Sequence, residues 1–288
     1  MSDDWRRYDD SIDLSVDDDS RVQVLRSVER HPGLDDILEL GCSTGRTSEV
    51  LRHWGRRVVG IEFDATAASE ARQHADEVIV GDLDDRNTLG HLGDRTFDMV
   101  LAADVLEHLR DPLGCLRDAV TRLRPGGVVV LSIPNVAHGD IRLALLEGRF
   151  EYTDVGLLDR THISLFTIQS LRALITDAGL VAVNWHRIRR IMGNTEVRRG
   201  SSALDWARMV LDGDPEAMTY QWVVECRRAG EAEAAVDDFA HEPAPLLDRV
   251  QHVARFMAPP TQQPGVRAAV RQLLAAVLGR GGRRNTPS

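Results

Sequence analysis

Short apolar runs alternate with helical segments through the first half of the chain, and this alternation limits the fold more than any other feature. The runs that have the length of buried strands are residues 37–40, 57–62, 77–80, 97–102 and 127–133. Helical patterns lie between them near residues 44–54, 65–75 and 113–123. Strand–helix–strand units at this spacing form parallel sheets with right-handed crossovers. The sequence therefore predicts a doubly wound α/β domain.

The segments on either side complete the predicted organisation. Further elements are expected at 21–30 (helix), 169–178 (helix), 180–187 (strand), 202–211 (helix) and 218–226 (strand). Near residue 230 the composition changes to an acidic, alanine-rich stretch that is followed by several prolines. We therefore predict an acidic arm at 1–20, a main domain at 21–230 and a C-terminal extension at 231–288. The extension contains an amphipathic helix at 265–278, and the arm is either solvated or a lid that closes through Trp5 and Tyr8.

Charge and cysteine content exclude several classes of protein. The net charge of −10 at pH 7 argues against nucleic-acid partners and against binding to anionic membranes. All 35 basic residues are arginine, so the lysine of a phosphate-binding loop and Schiff-base chemistry are excluded. Three widely spaced cysteines indicate neither a disulfide framework nor a zinc site. Because the N-terminus lacks a signal-peptide pattern and no run is long enough to cross a bilayer, we expect a cytoplasmic protein.

The strongest indication of function is the turn that follows the first predicted strand, in the sequence Ile-Leu-Glu-Leu-Gly-Cys-Ser-Thr-Gly at 37–45. Small residues let the backbone approach a ligand closely, and the N-terminus of the next helix offers free N–H groups. A dinucleotide-binding turn has the pattern Gly-x-Gly-x-x-Gly, whereas this one has Glu39, Gly41, Ser43 and Gly45 at alternate positions. The spacing favours S-adenosylmethionine (SAM), whose ammonium group is matched by the Glu39 carboxylate. A tight turn that binds no ligand is the alternative.

Three further strand ends carry side chains that suit the same ligand. Glu62 ends the second strand, where a carboxylate accepts hydrogen bonds from ribose hydroxyls. Asp82 and Leu83 follow the third strand and suit the amino group and the ring of an adenine, although Asp82 is alternatively a solvated turn residue. The fourth strand ends in small residues near Ala103, where the sulfonium methyl is expected. Asp64 is interpreted as the N-cap of the next helix.

These motifs resemble the class I SAM-dependent methyltransferases over residues 36–226. Stretches 132–139, 148–154, 156–162 and 217–224 resemble a bacterial branch that often occurs with glycan and polyketide-sugar pathways. The resemblance implies a Rossmann-like sheet of seven strands in the order 3-2-1-4-5-7-6, with the last strand antiparallel and helices on both faces. It also implies the positions of the cofactor-binding residues: Glu39, Gly41, Ser43 and Gly45 at the methionine end, Glu62 and Phe63 at the ribose and adenine, Asp82 and Leu83 at the adenine, and Ala103 near the methyl. Ser43 stands where the family's commonest turn has glycine.

Three histidines are expected at the same edge of the sheet and are candidate catalytic bases: His108, His138 and His162. Imidazole has a pKa suited to taking the proton of an alcohol. His138 is expected above the acceptor. His108 alternatively holds its loop by a hydrogen bond, and His162 alternatively belongs to an ion-pair network within segment 156–162.

The sequence as a whole predicts an O-methyltransferase that acts on a hydroxyl of a sugar or of a glycosylated small molecule. Methylation of nitrogen, carbon or a carboxylate and a SAM-binding module without catalysis are the open alternatives, while an oxidoreductase is disfavoured by the glycine spacing. No metal site is predicted, because Asp104 and Asp140 are far apart in the sequence. The C-terminal extension packs on its own domain or forms a homodimer contact.

Overall fold

The computed structural model describes residues 12–198, 205–233 and 248–250. Over these residues the main unit contains a sheet of seven strands. The strands are β1 (Asp36–Leu40), β2 (Arg57–Glu62), β3 (Glu77–Val80), β4 (Phe97–Ala103), β5 (Leu123–Pro134), β6 (Leu180–Arg189) and β7 (Thr219–Arg228). Their order in the sheet is β3-β2-β1-β4-β5-β7-β6. Neighbouring strands from β3 to β5 in this order are parallel, whereas β7 runs antiparallel to both β5 and β6. The fold implied by the resemblance is confirmed.

Helices flank the sheet, and all of the following except α2 begin at a side-chain cap. They are α1 (Ser20–Glu29), α2 (Arg46–His53), α3 (Ala65–Ala71), α4 (Pro112–Thr121), α5 (Gly139–Leu146) and α6 (Ile168–Asp177). Asp64 accepts hydrogen bonds from the backbone N–H groups of Thr66 and Ala67, which confirms its predicted role as an N-cap. Thr167 and Ser170 form a reciprocal capping box at the start of α6.

Two hydrophobic cores lie on opposite faces of the sheet, because successive strand residues point to opposite sides. On β4, Met99 and Leu101 belong to the core that contains residues of α1, α2 and α3. Val100 and Ala102 belong to the other core, which contains residues of α4 and α6. The central strands β1, β4 and β5 are therefore largely buried on both faces, as their nearly continuous apolar sequences require, whereas the edge strands β3 and β6 are only partly buried.

The structure differs from the prediction chiefly in two places, and the predicted helix 65–75 is also shorter, since α3 ends at Ala71. Helix α5 was not predicted, because its sequence follows a strand directly and lacks a clear amphipathic pattern. Strand β5 begins at Leu123, before the predicted Pro-Gly-Gly turn, and its pairing with β4 shifts register between Phe97 and Met99. The predicted lid residues Trp5 and Tyr8 and the predicted helix 265–278 lie outside the described residues.

A second compact unit contains described residues 205–214 and 248–250. It includes helix α7 (Asp205–Asp212) and an ion pair in which an Arg249 nitrogen lies 3.6 Å from an Asp214 oxygen. The predicted boundaries at residues 20 and 230 stay predictions. Across the part of the chain that the structure describes, no helix is both long and apolar enough to span a bilayer.

Candidate active site

A cavity of about 500 Å³ opens at the carboxyl ends of β1, β4 and β5. This edge of an open α/β sheet is where such folds bind their ligands. The predicted site residues that line the cavity are Glu39, Gly41, Ser43, Ala103, His108 and His162. The other predicted site residues do not line it: Gly45, Glu62, Phe63, Asp82, Leu83 and His138.

The turn after β1 has a left-handed backbone at three positions. Gly41 has φ +69°, Ser43 has φ +48° and Gly45 has φ +84°. A side chain at Gly45 would place its Cβ 2.9 Å from the Cα of Ala71, so glycine is required there for space as well as for conformation. Ser43 adopts a backbone that glycine takes more easily, which explains why glycine is common at this position in the family that the sequence resembles.

Glu39 lies at the floor of the cavity and is almost fully buried. The Ser48 hydroxyl donates to its Oε2 at 2.5 Å. Burial raises the pKa of Glu39 to about 7, since it outweighs the opposing effect of the Ser48 hydrogen bond, and the charge of Glu62 adds to the rise. Glu39 therefore carries a carboxylate whose charge is best stabilised by a cationic ligand group.

Glu62 holds the end of β2 against the turn after β1. Its Oε2 accepts from the Ser43 N–H at 2.9 Å, and its Oε1 accepts from the Asp64 N–H at 2.8 Å. The Phe63 backbone N–H is a third donor to this carboxylate, which has about four acceptor positions in all, so at least one position is left. The next side chain, Phe63, is 70% exposed, which is unusual for so large an apolar group.

The residues after β3 form a turn. Asp82 is exposed, and its Oδ1 accepts from the Asp84 N–H at 2.9 Å, as in an Asx turn. Leu83 is partly buried and packs against the core that contains α4 and α6. Asp82 is therefore a solvated turn residue in the structure, which was the alternative interpretation. The second oxygen of the Asp82 carboxylate can still accept a hydrogen bond.

Asp104 follows β4 and was not predicted as a site residue. Its backbone is left-handed, with φ +53°. The carboxylate accepts from the Ser132 hydroxyl at 3.1 Å, from the Gln221 amide and from the Ser20 hydroxyl at 3.4 Å. The residue as a whole is exposed to the cleft. The protein around its carboxylate nevertheless keeps water away from that group, and this desolvation raises the pKa of the carboxyl above the usual value. Asp104 thereby joins four elements of the fold, α1, β4, β5 and β7, at the mouth of the cavity.

His138 is fully buried, and both of its ring nitrogens have partners. Nδ1 accepts from the Asp140 N–H at 3.2 Å, and Nε2 donates to the Arg190 carbonyl at 2.9 Å. Burial also lowers its pKa. This geometry does not support the predicted role of His138 as a base; we assign it instead as the N-cap of α5, a helix that the sequence analysis did not predict.

His108 and His162 come together at the cavity, although 54 positions separate them in the sequence. Their ring centroids are 4.8 Å apart in an edge-to-face arrangement. His108 Nδ1 lies 3.1 Å from the Thr161 carbonyl, and His162 Nδ1 lies 3.4 Å from the Leu157 carbonyl. Burial, with the neighbouring His108, lowers the pKa of His162 to about 4. His162 is therefore neutral at physiological pH.

Glu107 lies beside these two histidines and was missed by the sequence analysis. It is 1% exposed, and its Oε2 has no hydrogen-bond partner among the described residues. Burial raises its pKa well above the usual value, and the charge of Asp104 raises it further. The signal that was available in the sequence is a single carboxylate within the apolar run Val-Leu-Glu-His-Leu at 105–109. We refer to Glu107, His108 and His162 as the Glu–His–His cluster.

Comparison with known proteins identifies the family. A family model described as a methyltransferase domain matches residues 19–184, more than half of the chain. The chain belongs to this family. It is a class I SAM-dependent methyltransferase in sequence and fold, so SAM is its cofactor.

Among curated relatives, the ubiquinone biosynthesis O-methyltransferase of Parvibaculum lavamentivorans is 32% identical over 150 residues, which cover 50% of this chain and 58% of that protein. A protein of the same name from Cereibacter sphaeroides is 34% identical over 154 residues, covering 51% of this chain and 61% of its own. The match thus spans about 60% of the length of these relatives. Their names do not indicate a glycan pathway, so the methyltransferase family is shown and the narrower branch is not.

Two solved structures share the fold. The magnesium protoporphyrin IX methyltransferase of Synechocystis PCC 6803, with bound S-adenosylhomocysteine, has a TM-score of 0.52 at 17% identity, covering 79% of this chain and 94% of that one. The CcbJ methyltransferase of Streptomyces caelestis also has a TM-score of 0.52, at 19% identity, covering 78% of this chain and 96% of its own. At these identities the similarity shows the fold alone.

Proposed function

We propose that the protein is an O-methyltransferase that methylates a hydroxyl of a sugar or of a glycosylated small molecule. The observation that carries this proposal is the position of the Glu–His–His cluster, which lies just beyond Ala103 in the cavity at the end of β4. A cluster of carboxylate and imidazole groups suits the removal of a proton from an alcohol. The two curated relatives described above are themselves named O-methyltransferases.

The residues at the ends of β1 and β2 fit SAM. The acceptor position that remains on the Glu62 carboxylate suits a ribose hydroxyl. The exposed ring of Phe63 offers an apolar surface that a purine would cover, and Asp82 suits the adenine amino group. Buried Glu39 and the left-handed turn at Gly41 and Ser43 suit the cationic amino-acid end.

When it is bound, SAM supplies an activated methyl group: the acceptor oxygen forms a bond to the methyl carbon as the carbon–sulfur bond breaks, and the hydroxyl proton leaves to a base. The protein must hold the acceptor oxygen in line with that bond, and alignment of this kind is worth up to about 7–11 kcal/mol. His108 and His162 remain the candidate groups for activating the hydroxyl. His138 is removed from that set by its burial and its two hydrogen bonds.

The cavity lining includes polar side chains from β7 and from the segment after β6, which supports a saccharide acceptor. These side chains include Arg190, Glu196, Tyr220 and Gln221. The Tyr220 hydroxyl lies 3.0 Å from both carboxylate oxygens of Glu196, and the Arg190 guanidinium lies 5.7 Å from the centre of the Tyr220 ring. Charged and hydroxyl groups placed in this way match the many hydroxyls of a sugar.

A phenolic hydroxyl is the second candidate acceptor. Relatives at 32–34% identity are named ubiquinone biosynthesis O-methyltransferases, and a quinone is built on a ring. The Tyr220 ring in the cavity lining offers an aromatic surface against which such a ring could stack. Both candidate acceptors require the same activation of a hydroxyl. They differ in which residues of the cavity lining would contact the rest of the acceptor molecule.

An acceptor screen tests the proposal. The purified protein is incubated with SAM and with separate panels of nucleotide sugars, glycosylated phenols, free catechols and amines, and S-adenosylhomocysteine release is measured by mass spectrometry. We expect release with glycosylated acceptors, and NMR of the product should place the new methyl on oxygen. A methyl on nitrogen or carbon would contradict the proposal. SAM binding without release in any panel would favour a binding module.

A further inference from the structure

The three side chains of the Glu–His–His cluster are brought together by backbone hydrogen bonds. Glu107 and His108 lie in the one-turn 3-10 helix Leu106–His108, and His162 lies in the loop before α6. The Glu107 carbonyl accepts from the N–H groups of Ile163 and Ser164, each at 2.9 Å. One ligating atom from each member of the cluster lies within 4.8 Å of the other two. The cluster is therefore built into the fold and does not depend on flexible surface side chains.

The Glu107 carboxylate needs a partner that the described residues do not provide. It is 99% buried, yet its Oε2 has no hydrogen-bond donor among them. A buried polar atom without a partner is unfavourable, and more so when it is charged. Glu107 lines the cavity, so its unpartnered oxygen is a candidate contact for a ligand, and for a carboxylate the matching ligand is a cation.

The two histidines present the lone pairs that a cation requires. A carbonyl oxygen only accepts hydrogen bonds, so the contacts of His108 Nδ1 with Thr161 and of His162 Nδ1 with Leu157 place the ring proton on Nδ1 in both residues. Nε2 is then the nitrogen with the lone pair. A metal-ligating histidine commonly donates its other N–H to a backbone carbonyl, because this bond fixes the tautomer and the orientation of the ring.

We propose that Glu107, His108 and His162 bind one divalent transition-metal ion at the acceptor end of the cavity. Two imidazoles with one carboxylate form a mixed nitrogen and oxygen set that suits ions such as Mn²⁺, Fe²⁺ or Zn²⁺ better than Mg²⁺ or Ca²⁺, which prefer oxygen ligands alone. Ligands bound at about 2.1 Å lie roughly 3–3.5 Å from one another. Side-chain rotations that move each ligating atom by about 1 Å would therefore close the cluster around an ion.

Three ligands from the protein would leave coordination positions open to the cavity. Given the O-methyltransferase activity proposed above, on which this role rests, an acceptor hydroxyl would occupy one of these positions. A bound divalent ion lowers the pKa of such a hydroxyl, whose proton then passes to water in the open cleft. His108 and His162 would in that case take part in the reaction as metal ligands and not as bases.

Binding of Mn²⁺ tests the site without SAM or an acceptor. The protein is first treated with a chelator, and free Mn²⁺ is then measured by its electron paramagnetic resonance signal during a titration. We expect one bound ion per chain with a micromolar Kd, and Zn²⁺ should displace it. Glu107→Gln and His162→Gln should each weaken binding by at least about tenfold, since loss even of groups that only orient ligands has effects of this size.

Controls separate loss of the site from loss of the fold. His91→Gln changes an exposed histidine outside the cavity and should bind Mn²⁺ like the wild type. Far-UV circular dichroism should show that each variant is folded. The proposal is overturned if the folded wild-type protein binds neither Mn²⁺ nor Zn²⁺ at millimolar concentration. It is also overturned if binding survives both substitutions in the cluster.

Turnover tests the role of the ion separately. Removal of the metal should lower S-adenosylhomocysteine release by at least about tenfold, and Mn²⁺ should restore it, because the acceptor hydroxyl loses its activating ion. The affinity for SAM should not change. Full turnover by verified metal-free protein would overturn the catalytic role. Metal binding without methyl transfer to any acceptor would instead refute the proposed function, so the two failures are distinguishable.

Discussion

The Glu225 carboxylate joins three elements of the main unit, and its removal should destabilise the fold in a pH-dependent way. On β7, its Oε1 accepts from Arg30 Nε at 2.9 Å and from Asn184 Nδ2 at 3.0 Å. Its Oε2 lies 2.9 Å from His31 Nε2. The residue is 4% exposed. Burial alone would raise the pKa of Glu225, but the hydrogen bonds from His31, Asn184 and Arg30 outweigh it and lower the pKa to about 2.

The size of the effect follows from the pKa. One unit of pKa corresponds to about 1.4 kcal/mol, so a fall from the ordinary value of 4.5 to about 2 corresponds to roughly 3 kcal/mol of stabilisation at pH 7. The pKa is lower in the folded state, so this stabilisation is complete above the unfolded-state value. It is lost as the pH falls through the folded-state value. Glu225→Gln resembles the protonated carboxyl and should cost about 3 kcal/mol at pH 7, and only about 2 kcal/mol at pH 3.5.

Urea unfolding at the two pH values, followed by far-UV circular dichroism, measures these differences. Glu29→Gln is the matched control, because Glu29 is an exposed carboxylate next to Arg30 on α1. It should change the free energy of unfolding by less than about 0.5 kcal/mol. The reasoning is refuted if Glu225→Gln costs less than about 1 kcal/mol at pH 7 or if its cost does not shrink at low pH.

Other substitutions test the turn after β1 and the buried histidine. Gly45→Ala should lower the free energy of unfolding, measured in urea, by at least about 1 kcal/mol more than Gly55→Ala does. Both positions have φ near +84°, but a Cβ at Gly45 alone would be crowded, by Ala71. Equal losses of stability would show that the crowding relaxes. Ser43→Gly should stabilise the protein by up to about 1 kcal/mol by relieving a left-handed serine, and a loss of stability would contradict this. His138→Ala should lower the free energy of unfolding by about 2–4 kcal/mol, because a cap and a packed ring are lost, while turnover of the folded enzyme stays near that of the wild type. A fall in turnover at unchanged stability would restore His138 as a base.

Much of the fold could be predicted because the determining signals are local. The runs at 57–62 and 77–80 became β2 and β3 without a change of boundary, since each has a short apolar centre that is bounded on both sides by a charged residue or a glycine. Asp64 could be identified as a cap from its place between a strand and a helix. The antiparallel position of β7 came from the family resemblance, because strand order depends on pairings between residues that are distant in the sequence.

The acceptor side of the cavity could not be predicted in the same way. His138 looked like a catalytic group because it follows β5, but its role depends on the Arg190 carbonyl, which lies 52 positions further along. Glu107 belongs to a cluster only because the loop before α6 places His162 next to it in the folded protein. Local sequence patterns therefore predict a cofactor end at the ends of β1 and β2, whereas the proposed acceptor end depends on contacts between residues that are distant in the sequence.

The central claim is that SAM binds at the ends of β1 and β2, with Glu62 at its ribose. Calorimetric titration of the purified protein with SAM, and in parallel with NADH, tests this most directly. We predict micromolar binding of SAM and no binding of NADH, and Glu62→Ala should weaken SAM binding by at least about tenfold because a charged acceptor is lost. Folded protein that fails to bind SAM, or a Glu62→Ala variant with unchanged affinity, would contradict the account.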